Sequence, residues 1–343
     1  MTAVSISVLG AGSWGTALAI LLAHNGHDAL LWGHHPKHIA AIEKSRCNDR
    51  YLPGIAVPKS LKLNADLDAC VQNRDVVLLA IPSHAFRTLL MRIEPFLSPA
   101  TAIVWATKGF DANTGQLLHE VAADILDNRW PTAVLSGPTF AREVAANRPT
   151  ALTIASPEPK LAATLAAMLH NPHFRAYTGD DIIGVEVGGA VKNVLAIATG
   201  VADGLGFGAN TRAALVTRGL AEMMRLGRAL GGNKETFMDL AGLGDLVLTY
   251  TDDQSRNRRL GLGLGRGKGL RETVERIGQE IEGIPAARVV HRLAQRHRID
   301  MPISEQVYRI LTISSHRTTR FATCCCANKK QKRHKTTVLS AFA

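Results

Sequence analysis

The chain has 343 residues, 46% hydrophobic and 20% charged, with 40 Lys and Arg against 29 Asp and Glu and a net charge of +11. That length suits two ordinary domains, and the balance of residue types excludes a fibrous chain or one disordered throughout. The longest purely aliphatic stretch, residues 17–23, is far short of the ~20 residues a bilayer requires, so a soluble protein without membrane insertion is expected.

The N-terminus, MTAVSISVLGAG, shows no basic leader, hydrophobic run or cleavage site, and reads as a strand almost from the first residue; the cytoplasm is the expected compartment. Residues 4–9 form that strand, followed by Gly10-Ala-Gly12-Ser-Trp-Gly15 and an apolar helical stretch over 16–24. Further strand-like runs fall at 29–32, 75–81, 101–106, 133–135 and 151–155, with helical patterns between them at 85–93 and 116–126. This alternation predicts an α/β domain over 1–180, a Rossmann-type, doubly wound and mostly parallel sheet covered on both faces. Past about Tyr177 the strand signal stops. Residues 181–202, 211–230, 234–240 and 285–297 read as helices separated by glycine-rich connections at 204–208 and 261–269, so an all-α domain is expected over 181–311. Cys47 and Cys70 stand alone and Cys324, Cys325 and Cys326 are consecutive, a usage that implies reduced thiols and neither a disulfide framework nor a metal clamp.

Residues 312–343 carry seven Lys or Arg and no acid, and show no helical period; subtracting those seven from +11 leaves +4 for the first 311 residues. The body is therefore only mildly basic, as suits an enzyme of anionic substrates, and no nucleic-acid partner is expected. The tail reads as a solvated, poorly ordered extension.

Gly10-x-Gly12-x-x-Gly15 joins a strand to a helix, the context in which this pattern binds a dinucleotide: the first glycine turns tightly, the second admits a pyrophosphate, and the third packs helix on strand. Roughly 20 residues on, where a carboxylate would read the ribose of NAD, stands Trp32-Gly33-His34-His35-Pro36-Lys37. Without a carboxylate to repel a 2′-phosphate, NADPH should be accepted and NADH not excluded; His34 and His35 could equally be ordinary loop residues. Lys192, within the run from Gly184 to Ala198, is the one lysine in a helix apolar on nearly every face. A buried ammonium costs several kcal/mol unless paired, so it reads as a working acid or base whose pKa desolvation would lower.

Lys108-Gly109 and Ser136-Gly137-Pro-Thr139-Phe-Ala141 follow strands, at the carboxyl ends where open α/β sheets bind ligands. Gly242-Leu-Gly244-Asp245-Leu246 places a carboxylate on a glycine turn, with a helix N-cap as the alternative. Ser255-Arg256-Asn257-Arg258-Arg259 offers a guanidinium fork beside amide and hydroxyl groups, suited to a phosphate, unless it is only a solvated charge cluster.

These six motifs, in this order, resemble the soluble NAD(P)-dependent glycerol-3-phosphate dehydrogenases, the bacterial form above all, from about Ile6 to Leu311. The resemblance implies hydride transfer between NADPH or NADH and dihydroxyacetone phosphate, giving sn-glycerol 3-phosphate for phospholipid synthesis, with a homodimer as the assembly. It implies Lys192 as general acid/base and Lys108, Gly137, Thr139, Asp245, Ser255, Arg256 and Asn257 as substrate contacts. Gly10, Gly12, Ser13, Trp14, Gly15, His34, Lys108, Ala141, Arg256, Glu280 and Glu282 fall at cofactor positions; an exposed acidic pair is the plainer account of the last two. No metal site is implied. The departure is the sequence after Leu311, where the family would continue a helix. Two other readings remain: a β-hydroxyacid or ketopantoate-type reductase, or a non-catalytic dinucleotide sensor with a nucleic-acid-binding tail.

Overall fold

A computed structural model describes residues 3–316; what the sequence suggests for 317–343 lies outside the described residues. The chain divides into two compact units, one of Met1–Asp111 with Gln116–Glu186, the other of Ala112–Gly115 with Val187 onward.

The first unit holds strands β1 (Ser5–Leu9), β2 (Asp28–Trp32), β3 (Cys47–Asn48), β4 (Leu52–Ala56), β5 (Lys62–Asn64), β6 (Val76–Leu79), β7 (Ala102–Trp105), β8 (Thr132–Ser136), β9 (Thr150–Ala155) and β10 (Phe174–Gly179). Its helices are α1 (Ser13–His24), α2 (Pro36–Ser45), α3 (Leu67–Val71), α4 (Ser83–Ile93), α5 (Leu118–Leu126), α6 (Ala141–Ala145) and α7 (Pro159–Leu169). Eight strands form one sheet in the order β10-β9-β8-β7-β6-β1-β2-β5, parallel except between β8 and β9, while β3 and β4 pair separately as a hairpin. Period-2 alternation sends Ile6, Val8, Leu78 and Val104 to a core with α1 and α7. The alternate residues are also buried, Trp105 meeting Phe86 of α4 edge to face at 5.8 Å between ring centroids. Burial on both faces is why these strands read as near-continuous apolar runs.

The strand order reverses at β1, whose neighbours are β2 and β6, so the crevice beyond the ends of β1 and β6 is the topological switch point at which such sheets bind ligands. Gly10 follows β1 there with φ +128°, and a Cβ on it would overlap the Ala80 carbonyl just past β6.

The second unit is helical: α8 (Ile182–Gly204, begun in the first unit), α9 (Ala209–Ala229), α10 (Lys234–Phe237), α11 (Asp245–Thr251), α12 (Arg256–Gly265), α13 (Leu270–Ile277), α14 (Gly283–His297) and α15 (Pro302–His316). The compact units part after Glu186, whose carboxylate accepts from Trp105 Nε1 (2.8 Å) and from His119 N (3.1 Å) of the first unit. Three sequence expectations change. Residues 261–265 are helix rather than connection: Gly261 and Gly265 of α12 face Gly200 and Gly204 of α8, so closely that a Cβ on Gly261 would overlap the Ile197 carbonyl. The helical pattern does not stop at Leu311; α15 continues to His316, with Thr312 Oγ1 donating to the Tyr308 carbonyl (2.8 Å). Finally, α8 has the length and apolar composition of a membrane span, which a search for purely aliphatic runs misses because Glu186 and Lys192 interrupt it; 89% of that span is buried within the protein, as in a core helix.

Candidate active site

In the first unit, the glycine turn ends at the N-terminus of α1. Gly15 packs against Gly10 so tightly that a Cβ would overlap its carbonyl oxygen, whereas a Cβ on Gly12 would meet no atom within 4 Å. The middle position is thus open for close approach while the outer two are pressed into the fold. Gly12 supplies no side-chain cap, the first turn holds no acid, and the buried Trp14 Nε1 has no hydrogen-bond partner. Uncapped amides at a helix start, at the positive end of its dipole, fit the pyrophosphate of a dinucleotide. Ser13 Oγ is already committed, donating to the Tyr51 carbonyl (2.7 Å), which leaves its backbone for a ligand.

Beyond β2, the His34 ring lies 3.7 Å from that of His35. The His34 imidazole is held below its ordinary range, first by burial and then by the positive fields of His35, His38 and Arg50. The His38 imidazole is likewise held below its ordinary range, first by burial. Local pattern did not point to His38 and Arg50, which lie 4 and 16 residues from His34 and are gathered by the fold.

At the ends of β7 and β8, Lys108 Nζ donates to the Gly137 carbonyl (3.1 Å), and Thr139 Oγ1 donates to the same oxygen (3.2 Å). Gly137 has φ +153°, and a Cβ would stand 2.8 Å from Leu152 Cα, so only glycine suits this turn. Ala141 begins the short α6 and packs its methyl on the core, leaving backbone as its means of touching a ligand.

In the second unit, Lys192 is 7% exposed and its ammonium is paired: Nζ donates to Asp245 Oδ1 and, at 3.1 Å, to Thr249 Oγ1. The ammonium is therefore partnered rather than merely desolvated, as the apolar helix alone suggested. Asp245, 1% exposed, is the first residue of α11 and follows a single π-helical turn, Leu240–Gly244; it is not an N-cap. Gly188 of α8 lets that turn close in, since a Cβ would come within 2.5 Å of the Ala241 carbonyl. Thr249 lies one helical turn beyond Asp245 and anchors its own hydroxyl on the Asp245 carbonyl at 2.6 Å. Sequence inspection missed Thr249, although i, i+4 spacing from Asp245 was its signal.

The 255–257 cluster separates into different tasks. Ser255 caps α12, its Oγ accepting from Arg258 N (3.2 Å). Asn257 is buried, donating from Nδ2 to Asn193 Oδ1 (2.8 Å) and accepting from Gly283 N (2.9 Å), which ties α12 to α8 and to the start of α14. Arg256 is half-buried: burial and, less, the Arg259 cation act against its charge, while the carboxylates of Glu282 and Glu280 support it. Glu280 and Glu282 thus act on Arg256 electrostatically.

Models of two domains match the chain, the NAD-dependent glycerol-3-phosphate dehydrogenase N-terminus over residues 5–162 and its C-terminus over 181–319, the latter extending past Leu311. A curated relative from Aeromonas hydrophila, glycerol-3-phosphate dehydrogenase [NAD(P)+], is 54% identical over 309 residues, covering 90% of this chain and 92% of its own. A crystal structure of glycerol-3-phosphate dehydrogenase from Coxiella burnetii superposes with a TM-score of 0.87 at 47% identity, covering 93% of this chain and 99% of that one. The glycerol-3-phosphate dehydrogenase of Saccharomyces cerevisiae superposes with a TM-score of 0.79 at 26% identity, over 98% and 99% of the two chains.

Proposed function

The chain belongs to the NAD-dependent glycerol-3-phosphate dehydrogenase family, and on that premise we propose how its residues carry the family's reaction. It is an NAD(P)-dependent oxidoreductase that interconverts sn-glycerol 3-phosphate and dihydroxyacetone phosphate. When bound, the nicotinamide supplies or accepts the hydride at C2 of the substrate.

Lys192 is the general acid of the reduction: its ammonium gives a proton to the C2 oxygen as that oxygen gains negative charge, and the neutral amine takes the proton back in the oxidation. Asp245 and Thr249 fix the direction of Nζ. This paired, buried lysine is the observation that carries the reading. Lys108, which with Thr139 donates to the Gly137 carbonyl in the first unit, is a further ammonium suited to an anionic substrate. Arg256 receives the phosphate as a guanidinium fork, while Ser255 and Asn257 act mainly by shaping the start of α12. Gly10, Gly12, Gly15 and the backbone of Ser13, Trp14 and Ala141 hold the dinucleotide, and His34 faces its 2′-group. The product suits a role as glycerol backbone for phospholipids, made in the cytoplasm by a homodimer.

The test is NADPH or NADH oxidation with dihydroxyacetone phosphate set against unphosphorylated ketoacids: turnover confined to the phosphate ester supports this assignment, and equal or exclusive use of ketoacids overturns it.

A pH dependence follows from His34. Its imidazole is held below the usual range, first by burial and less by His35, His38 and the Arg50 guanidinium, which favours the neutral ring; a 2′-phosphate dianion would favour the imidazolium, and binding would then take up a proton. NADPH affinity, read by titrating nucleotide fluorescence, is therefore expected to rise as pH falls from about 8 to 6 while NADH affinity stays flat. Parallel pH curves for the two nucleotides would remove His34 from the 2′-site.

A further inference from the structure

One buried charge pair lies near the proposed phosphate clamp and takes no part in the chemistry above. Arg258 is 8% exposed, and all three of its side-chain nitrogens donate within the second unit. Nε bonds the Tyr250 carbonyl (2.9 Å), Nη1 bonds the Asp253 carboxylate, and Nη2 bonds Asp203 Oδ2 (2.7 Å). Asp203, one residue before the end of α8, uses its other oxygen to accept from Arg212 Nη2 of α9 (3.0 Å). Backbone joins the same knot, since Arg258 N donates to the Ser255 cap (3.2 Å).

These bonds span the connection 252–255 between α11 and α12 and pin it at both ends and in the middle. Tyr250 is next in sequence to Thr249, which holds the Lys192 ammonium, and Arg256 stands two residues before Arg258. A buried ion pair is weak evidence for stability, because well-packed apolar residues of similar volume often do as well; its distinguishing property is that both partners must keep one geometry. A guanidinium fork on a phosphate is likewise demanding, and a displacement of about 1 Å can cost about 10²-fold in rate.

We propose that Asp203 and Arg258 are a positioning pair, which holds the α11–α12 connection so that Arg256 meets the phosphate of the substrate in its bidentate geometry. The proposal rests on Arg256 being the phosphate clamp. Arg258 itself, with each nitrogen bound to protein, acts through Arg256 rather than on the substrate.

The experiment measures kcat, KM and kcat/KM for dihydroxyacetone phosphate and kcat/KM for unphosphorylated dihydroxyacetone, in wild type and in Asp203→Asn, Asp203→Glu, Arg258→Lys, Arg256→Ala and Leu293→Ala. Asp203→Asn and Arg258→Lys should raise KM for the phosphate ester by about 10-fold or more, with kcat changed much less and kcat/KM for dihydroxyacetone unchanged, so that preference for the ester falls. Asp203→Glu, which restores the carboxylate, should recover part of that preference. Leu293→Ala opens a cavity in buried α14 of the same unit and lowers stability by about 2–5 kcal/mol, yet should keep the preference. If one of the two pair variants does not fold, the other carries the test.

Full preference for the ester in either folded pair variant overturns the proposal, as does equal loss of it in Leu293→Ala. The two readings fail separately. If Arg256→Ala loses the preference and Asp203→Asn keeps it, only the positioning role falls; if Arg256→Ala keeps it, the clamp itself is wrong and the pair has nothing to position.

Discussion

Replacing Lys192 with Ala should lower kcat for NADPH-dependent reduction of dihydroxyacetone phosphate by about 10²-fold or more, with NADPH binding retained. The size follows from the role. General acid catalysis is typically worth about 10²–10⁴-fold, and no other described side chain holds an ammonium against both Asp245 and Thr249. Binding should survive because Lys192 lies on α8 of the second unit, whereas the glycine turn and His34 belong to the first. The substitution also strands a buried carboxylate, and breaking such a pair costs about 3–5 kcal/mol, so circular dichroism and a urea melt must accompany the kinetics. Lys192→Met, which fills the space without the charge, separates the chemical effect from the loss of packing. Near-normal kcat in either folded variant would remove Lys192 from the acid/base role.

Arg256→Ala should act on KM instead. A hydrogen bond to a charged group contributes about 1.5–3 kcal/mol, so loss of the fork should raise KM for dihydroxyacetone phosphate by about 10- to 150-fold, with a smaller change in kcat. The phosphate is held alike in ground and transition states, which is why the loss falls on binding. Partial burial sharpens the expectation, because the Arg256 cation is screened less there than at a fully exposed site, with Glu282 and Glu280 as its nearby carboxylates. Substrate titrations at two ionic strengths would check this: an unchanged KM counts against the clamp.

The fold class was legible from the alternation of strand and helix patterns, whereas the contacts that gather distant residues were not. The glycine fingerprint was legible because its meaning depends on neighbours a few residues away, a strand before it and a helix after it. Lys192 was legible because a cation in an apolar helix is anomalous by itself. Its partner Thr249 was not, since a threonine in α11 looks ordinary until α8 is packed beside it, which Gly188 permits through its contact with Ala241. Gly261 and Gly265 misled for a related reason: glycines suggest a linker to a local reading, whereas here they serve the close crossing of α8 and α12. The same limit hid Asp203 and Arg258, 55 residues apart, and the Glu186 carboxylate, 81 residues from Trp105 and 67 from His119. Burial alone would lower the His119 pKa, but the Glu186 hydrogen bond and charge outweigh it and raise it, an effect with no trace in local pattern.

The proposed chemistry requires Lys192 and Asp245 to work as one proton-handling pair. The pH dependence of kcat/KM for dihydroxyacetone phosphate, measured in wild type, Asp245→Asn and Lys192→Ala, addresses this most directly. Removing the anionic partner disfavours the ammonium, so the alkaline limb should move to lower pH in Asp245→Asn and be lost, with most of the activity, in Lys192→Ala. An alkaline limb at the same pH in all three proteins would contradict that pairing.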